Sequence, residues 1–376
     1  MVLKGSEHRA LLAVLTVAAI ATVGVGATSW KEAAPGYTYV FPRDHASHPD
    51  YKIEWWYYTG NVAAKDGRRF GYQVTFFRVG VDQTPVNPSR WAIRDLFMTH
   101  LAVSAVSQQQ YRYAERLSRG GPGVAGADVD RYRVWNEDWT ASLDAQGRHV
   151  LHAFDKGTGL DLVLDEGKPP AIHGLGGISQ KGAQAGNASH YYSLTRMPTR
   201  GTISVDGERV EVAGESWMDH EFGTSFLEPD QQGWDWLSIQ LADGRDLMLY
   251  QLRRSDGSRD PRSSGTLVSV DGRATHLAVD DFTLAPAGAT YQSANGAVYP
   301  MAWTVTVPSQ ALTLRVTTPL ETQELSLEGS TGVSYWEGVI DIAGKSGGKA
   351  VSGRGYLEMT GYHGSMGRVL SGNHGN

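Results

Sequence analysis

Hydrophobic and polar residues alternate with a period of two through most of the chain, in short runs separated by turn residues. Runs of this kind, rich in β-branched and aromatic residues, predict β-strands. No long segment after residue 27 has a 3.6-residue period, and short helices fit only around 88–97 and 107–117. The pattern therefore predicts an all-β protein, a sandwich or a barrel. The predicted strands are 52–62, 69–80, 97–106, 131–135, 139–144, 149–155, 160–165, 191–196, 201–205, 208–212, 235–241, 246–253, 266–270, 301–307, 312–317, 335–342 and 353–360.

A degenerate internal repeat divides the chain. A Trp-rich start, an Asp-Gly-Arg turn and a Tyr-Gln pair occur in the same order twice. The segment 214–220 is also similar to the segment 353–358. Two copies of one β-domain explain this, although chance matches at Asp-Gly turns would look similar. The polar stretch 228–232 predicts the junction, with an N-terminal domain over 28–228, a C-terminal domain over 229–366 and a tail over 367–376. The matched segments are 55–56, 66–68 and 71–73 against 234–236, 243–245 and 249–251, and 214–220 against 353–358.

The first residues have the pattern of an export signal. Lys4 and Arg9 precede an apolar stretch over 10–26, and small residues at 25–27 fit a cleavage site. We therefore expect a signal peptide over 1–27, cleaved near Ala27, and export to the periplasm or the medium. The alternative is an uncleaved membrane anchor. The chain has no cysteine, so neither a lipid-modified cysteine nor a disulfide is expected.

Composition narrows the choice of partner. The 376 residues fit two domains, and 41% hydrophobic with 20% charged residues is typical of a globular protein. The net charge is −6 without a basic stripe, so no nucleic-acid partner is expected. The 11 tryptophans are many for this length, which favours a hydrophobic small molecule or a lipid as ligand.

Acid–base groups and tryptophans concentrate in two neighbouring segments. Asp219, His220 and Glu221 follow Trp217, and Trp234-Asp235-Trp236 comes shortly after. Carboxylates are rarely buried among aromatic residues without partners or a function. The combination suits a site for an apolar substrate, and it also suits a β-core with a few buried hydrogen bonds.

Several long motifs resemble the AttH-like / carotenoid 1,2-hydratase (hydroxyneurosporene synthase) family, over roughly residues 36–365. The resemblance implies two lipocalin-like β-barrels in tandem. Many members are described as secreted hydrolases, and only a subset hydrates carotenoids. The motifs are IEWWYYTG (53–60), FGYQVTFFR (70–78), THLA (99–102), SWMDHE (216–221), GWDW (233–236), YWEG (335–338) and GYLEMTGY (355–362).

A hydratase protonates a C=C bond, so it needs a carboxyl group that stays protonated in a dry pocket. Asp219 is the predicted acid, and His220 or Glu221 the predicted base. On a regular strand Asp219 and Glu221 share one face with Trp217, and His220 points the other way. His220 could therefore join Asp219 only if the strand ended there or contained a bulge. The alternative is that the three form a structural polar cluster between the domains.

The predicted substrate-binding residues come from both domains. Arg78 is expected to pair with Glu54 and tie two strands together rather than to bind a ligand. Two roles remain for His100, which is either a hydrogen-bonded core histidine or a ligand contact. Glu337 and Glu358 are expected to be strand-pairing residues. The full substrate-binding set is Trp55, Tyr57, Gln73, His100, Trp217, Trp234, Asp235, Trp236 and Tyr250.

Other common motifs are absent or lack their context. The run 121–126 fits G-x-G-x-x-G but has no surrounding βαβ unit, and no G-x-S-x-G serine elbow is present. Thr224 stands where a zincin motif starting at His220 needs its second histidine. We expect no cofactor and no metal.

Two functions follow from these features. The first is an exported, cofactor-independent hydratase or hydrolase that acts on an apolar, isoprenoid-like or lipid substrate, with peripheral membrane contact to reach it. The second is a lipocalin-like carrier of a hydrophobic ligand that performs no chemistry.

Overall fold

The computed structural model describes residues 30–224, 227–327 and 332–366. The predicted signal peptide and the predicted tail lie outside these residues. The regular secondary structure of the described chain is almost entirely antiparallel β-sheet, which confirms the all-β prediction. Its short helical turns, where they are described, are the 3-10 turns Arg43–His45, Val106–Gln108, Val279–Asp281 and Pro308–Gln310. Within the described ranges no helix combines the length and the apolar character needed to cross a membrane.

The first sheet curls into a nearly closed barrel. Its strands follow the order β4-β3-β2-β1-β13-β12-β9-β8-β7-β6-β5, with β10 and β11 beside β12. Arg116 of β4 donates to the backbone oxygen of Asn136 in β6 at 3.1 Å, which brings the two ends of this order together. The strands are β1 (Ile53–Ala64), β2 (Arg69–Gly80), β3 (Asp95–Ala105), β4 (Gln110–Arg119), β5 (Ala125–Ala127), β6 (Arg133–Asn136), β7 (Trp139–Leu143), β8 (His149–Asp155), β9 (Thr158–Leu164), β10 (Ala171–Ile172), β11 (Ser179–Gln180), β12 (Ala188–Val205) and β13 (Glu208–Gly223).

The second sheet begins at Gln231, just after the first sheet ends at Gly223, and it has the order β17-β16-β15-β14-β25-β24-β22-β21-β18 with β23 beside β24. A separate hairpin pairs β19 with β20. The strands are β14 (Gln231–Leu241), β15 (Asp246–Arg254), β16 (Ser264–Val268), β17 (Ala274–Leu277), β18 (Thr283–Pro286), β19 (Thr290–Gln292), β20 (Val298–Pro300), β21 (Ala302–Val307), β22 (Leu312–Thr317), β23 (Glu324–Leu327), β24 (Val333–Ser346) and β25 (Lys349–Met359).

Two details differ from the predicted strands. The segments 191–196 and 201–205 are parts of one strand, β12, which continues through a register shift between Leu194 and Met197. The segment 107–117, where a short helix was possible, mostly forms β4, because it pairs along its length with β3.

The repeat seen in the sequence corresponds to equivalent strand pairs. In the first sheet Tyr57 of β1 lies opposite Asp219 of β13. In the second sheet Trp236 of β14 lies opposite Glu358 of β25. The two halves therefore present the same kind of pair, an aromatic residue beside a carboxylate, at matching positions.

The two sheets pack face to face along a third apolar cluster, separate from the two sheet cores. It contains Tyr57, Trp217, Trp236, Tyr250 and Val339 among others. A Cβ atom on Gly71 of β2 would lie 2.0 Å from Cγ1 of Val339 in β24, so only glycine permits this approach. We call the contact surface between β1, β2, β12 and β13 on one side and β14, β24 and β25 on the other the seam.

Candidate active site in the seam

The alternation expected around residue 219 is present in β13. Trp217, Asp219 and Glu221 face the seam, whereas His220 faces the interior of the first barrel. Cross-strand neighbours of Asp219 continue the seam-facing row through Tyr57 and Thr75 to His100. The site is therefore built from strand register, which fixes side chains more rigidly than a loop does.

Asp219 is buried and accepts hydrogen bonds on both oxygens. Tyr191 donates to Oδ2 at 2.6 Å, the indole of Trp217 donates to Oδ1 at 2.5 Å, and the hydroxyl of Ser193 also donates to Oδ1. Nε2 of His173 lies 2.6 Å from the Ser193 hydroxyl. Burial raises the pKa of Asp219 to about 7, although these donors favour the ionised form and oppose the rise.

Two further carboxyl groups reach the seam from the second sheet. Glu337 of β24 and Glu358 of β25 lie directly opposite each other. The hydroxyl of Tyr57 donates to Oε1 of Glu337, and the indole of Trp234 donates to Oε2 of Glu358 at 2.9 Å. Burial raises the pKa of Glu337 well above its usual range and that of Glu358 to about 7, and the charge of Asp219 adds to both rises. Three such neighbours cannot all ionise at neutral pH, so the cluster retains protons.

Aromatic rings surround these carboxyl groups. The rings of Tyr57 and Trp236 meet edge to face, with centroids 5.2 Å apart, and those of Trp217 and Trp236 lie 6.3 Å apart. Trp236 also donates its indole N–H to the hydroxyl of Tyr191 at 3.1 Å. This indole therefore links to Asp219 through a single hydroxyl group, that of Tyr191.

The seam reaches solvent on one side. Trp55, Trp234 and Glu358 are only partly buried, whereas Asp219 and Glu337 are fully buried. The partly exposed tryptophans form an apolar rim beside Glu358, and the carboxyl groups of Asp219 and Glu337 lie beneath it. This arrangement suits an apolar ligand with one reactive group directed inward.

Glu221 lies on the seam face but is already paired. It accepts from the Lys181 ammonium at 3.2 Å and from the Ser189 hydroxyl at 2.7 Å. The same ammonium lies 4.5 Å above the ring of Tyr250, whose hydroxyl is 3.1 Å from that of Ser179. Lys181 therefore joins Glu221 and Tyr250 at the border of the carboxyl cluster.

Gln73 and His100 lie on the seam face, and no hydrogen bond described for them reaches Asp219, Glu337 or Glu358. Gln73 bonds the hydroxyl of Thr75 within its own strand. Nδ1 of His100 lies 2.8 Å from the hydroxyl of Tyr335, which belongs to the second sheet. His100 is therefore a hydrogen-bonded histidine that links the two sheets, and burial lowers its pKa to about 3.

Two of the predicted site residues are not part of the cluster. His220 lies in the first barrel, where Nε2 is 3.0 Å from Glu54 and the ring stacks on Trp56. Asp235 points into the second sheet, where it accepts from the hydroxyl of Tyr362 at 2.9 Å. Side chains alternate along β13 and β14 without a bulge at these positions. His220 therefore points away from the face that carries Asp219, and Asp235 points away from the face that carries Trp234 and Trp236.

The interior of the first barrel contains a separate set of polar residues. Arg78 pairs with Glu54 at 3.1 Å, which confirms the predicted structural ion pair between neighbouring strands. Histidines and carboxylates also meet there in two groups with ligand atoms within 4.8 Å, namely His45, His149 and Glu166, and His48, Glu54 and His220. Sequence spacing did not reveal either group, because their members come from distant segments.

Comparison with known proteins agrees with this architecture. The AttH-like family model matches residues 32–362. The crystal structure of an AttH-type protein of Nitrosomonas europaea is 32% identical, with a TM-score of 0.79 over 88% of this chain and 99% of that chain. Kievitone hydratase from Nectria haematococca shares the fold at 16% identity, with a TM-score of 0.67 over 86% of this chain and 92% of that chain.

A curated relative is the dehydratase asqC of Emericella nidulans, which is 25% identical over 286 residues, 71% of this chain and 77% of the relative. The family match spans nearly the whole described chain and both sheets. The chain therefore belongs to the AttH-like family.

Proposed function

We propose that the protein is a hydro-lyase that adds or removes water on an apolar substrate by acid–base catalysis in the seam. The observation that carries this proposal is the meeting of Asp219, Glu337 and Glu358 among buried aromatic rings. Acid catalysis at neutral pH needs a carboxyl group whose pKa is raised by burial and by like charges, and this cluster has both causes. The similarity to a dehydratase supports the reaction class.

Glu337 is the proposed acid and Asp219 the proposed base. Asp219 accepts three hydrogen bonds, which favour its ionised form, whereas Glu337 accepts one from Tyr57 in an equally buried position. Glu337 is therefore the group that keeps its proton most firmly. This reverses the role that the sequence suggested for Asp219, and it places the acid on the second sheet and the base on the first.

In the dehydration direction Asp219 takes a proton from carbon while Glu337 gives its proton to the departing hydroxyl. A C=C bond forms, one water leaves, Asp219 becomes protonated and Glu337 ionised. Hydration is the reverse. The partly exposed Glu358 lies beside Glu337 and exchanges protons with solvent, which restores the protonation states of Glu337 and Asp219. The faces of Trp217 and Trp236 stabilise positive charge that develops on the substrate.

The substrate class follows from the rim. Trp55 and Trp234 offer apolar contacts at the solvent side, which fits a lipid-like or isoprenoid-like molecule with a single functional group. Export after the expected signal peptide would place the protein where it has to draw such a molecule from a membrane surface. A carotenoid is one member of this class.

The test compares the wild type with Glu337→Gln and the control Glu324→Gln. Glutamine keeps the shape of Glu337 and its hydrogen bond from Tyr57 but has no acidic proton. Glu324 is a carboxylate of the same sheet that pairs with Asn295 and Tyr299 outside the seam. Each protein is incubated with a lipid extract of the producing cells in ¹⁸O-enriched water, and all masses are followed by chromatography–mass spectrometry.

We expect wild type and Glu324→Gln to change one compound by the mass of a water, with ¹⁸O incorporated in the hydration direction, and Glu337→Gln to lose at least about 100-fold of this rate. A compound that is retained unchanged by all three proteins would identify a carrier and refute the proposal. Turnover that survives in Glu337→Gln would refute the assigned acid.

A further inference from the structure

His45, His149 and Glu166 converge at one point inside the first barrel, on the side of the sheet opposite the seam. Nε2 of His45 and Nε2 of His149 each lie 3.3 Å from the same oxygen, Oε1 of Glu166. The side chains of both histidines are almost completely buried, whereas that of Glu166 is 35% exposed. The three residues come from a 3-10 turn, the start of β8 and the loop after β9.

The other nitrogen of each ring is fixed by a tyrosine. Nδ1 of His45 lies 2.7 Å from the hydroxyl of Tyr192, and Nδ1 of His149 lies 2.8 Å from the hydroxyl of Tyr58. The two rings meet nearly perpendicularly, with centroids 5.3 Å apart. Outer hydrogen bonds of this kind orient the histidine ligands of metal sites and fix their tautomers.

The hydroxyl of Tyr192 is shared among Nδ1 of His45, Nδ1 of His220 and the backbone oxygen of Asp44. Nε2 of His220 faces a carboxylate oxygen of Glu54 at 3.0 Å, so this nitrogen donates. Nδ1 of His220 lies 3.0 Å from the hydroxyl of Tyr192 and 3.1 Å from the backbone oxygen of Asp44, which also accepts from that hydroxyl at 3.2 Å. When the Tyr192 hydroxyl donates to His220 or Asp44, His45 donates from Nδ1 to the oxygen of Tyr192 and its Nε2 carries no proton.

In this tautomer of His45 an unprotonated nitrogen faces a carboxylate. Nε2 of His45 has no hydrogen-bond partner, is buried, and points at Glu166. Two acceptors at this distance repel each other unless a cation lies between them. A cation between Nε2 of His45 and Oε1 of Glu166 would satisfy both groups.

The spacing fits a tetrahedral metal ion. Zinc binds nitrogen and oxygen ligands at about 2.0–2.1 Å, which places tetrahedral ligand atoms roughly 3.3 Å apart. Both nitrogen–oxygen separations have this value. In the other histidine group Glu54 meets His48 and His220 at the shorter distances of 2.9 and 3.0 Å, and the Arg78 guanidinium next to it repels a cation.

We propose that His45, His149 and Glu166 bind a divalent transition-metal ion, with zinc as the best match, and leave a fourth position open. Two imidazoles and one carboxylate form the ligand set of zinc sites that keep a water or substrate position. The exposed part of Glu166 provides the entry path. The proposal replaces the expectation of a metal-free protein and is independent of the proposed chemistry in the seam.

The experiment strips the full-length protein with a chelator and then titrates it with zinc chloride, with calorimetry as the readout. Cobalt(II) is added in a parallel titration, because its visible absorption reports tetrahedral nitrogen and oxygen ligands. The variants are Glu166→Gln, which removes a ligand, and Tyr58→Phe, which removes only the support of His149. Two controls are His152→Gln, an exposed histidine of β8 paired with Asp161, and His48→Gln in the other histidine group.

We expect one zinc ion per chain, cobalt absorption typical of tetrahedral geometry, and affinity reduced more than about 10-fold in Glu166→Gln and about 10-fold in Tyr58→Phe. His152→Gln and His48→Gln should bind as the wild type does. Absence of stoichiometric binding would overturn the proposal, and so would binding that survives in Glu166→Gln or disappears in His48→Gln.

Discussion

Asp219 and His220 are consecutive residues whose side chains lie on opposite faces of one sheet. Asp219 faces Tyr191 in the seam, and His220 faces Glu54 inside the first barrel. One strand therefore contributes to two separate polar groups, one with raised carboxyl pKa values and one built on a buried ion pair. The two groups give different predictions.

The first prediction concerns stability against pH. Burial raises the pKa of Asp219 from 3.8 to about 7. The folded state thus binds this proton more tightly than the unfolded state does, so stability is retained below pH 4 and falls as the pH rises to 7. At about 1.4 kcal/mol per pKa unit the loss is on the order of 4 kcal/mol.

Asp219→Asn should remove this part of the slope in urea unfolding measured between pH 4 and 8. The exposed Asp206→Asn, whose carboxylate pairs with Arg112, should leave the slope unchanged. Equal slopes in wild type and Asp219→Asn would show that the folded protein does not hold this proton.

The second prediction concerns the ion pair inside the first barrel. Arg78→Leu removes the guanidinium from the buried carboxylate of Glu54 and leaves it with the histidines His48 and His220, and losing one partner of a buried pair costs about 3–5 kcal/mol. Arg112→Leu removes an exposed pair with Asp206 and should cost less than about 1 kcal/mol. Chemical denaturation measures both, and similar losses would contradict the structural role of Arg78.

The third prediction concerns the packing of the seam. Gly71→Ala places a methyl group against Val339, so it should destabilise the protein by about 1–3 kcal/mol. Val339→Ala makes room for this methyl group. Adding Gly71→Ala to Val339→Ala should therefore cost much less stability than adding it to the wild type. Thermal unfolding of the three variants tests this. A purely additive result would mean that the two residues do not touch.

The sequence predicted much of this structure because strand alternation is a local property. The period-two pattern placed Trp217 and Asp219 on one face and His220 on the other, as found. The Arg78–Glu54 pair also followed from neighbouring strands. The repeat even contained the equivalence of Asp219 and Glu358, which lie at matching positions of the two sheets.

The rest depended on contacts between distant parts of the chain. Glu337 resembles any half-exposed residue of a strand until the second sheet is packed on the first, which buries it against Tyr57. His45 and His149 have no ligand-like spacing, because a turn before β1 and the start of β8 meet only in the closed barrel. Register within a strand is readable from sequence, whereas packing between sheets is not.

The central claim is that a buried carboxyl group stays protonated in the seam at neutral pH, and infrared spectroscopy of the carboxyl C=O stretch tests it most directly. At about pH 8.5, where Asp219 and Glu358 with pKa values of about 7 are mostly ionised, the wild type should show a protonated carboxyl band that is retained in Glu324→Gln and lost in Glu337→Gln. The absence of such a band in the wild type, or its persistence in Glu337→Gln, would contradict the assignment of Glu337 as the acid.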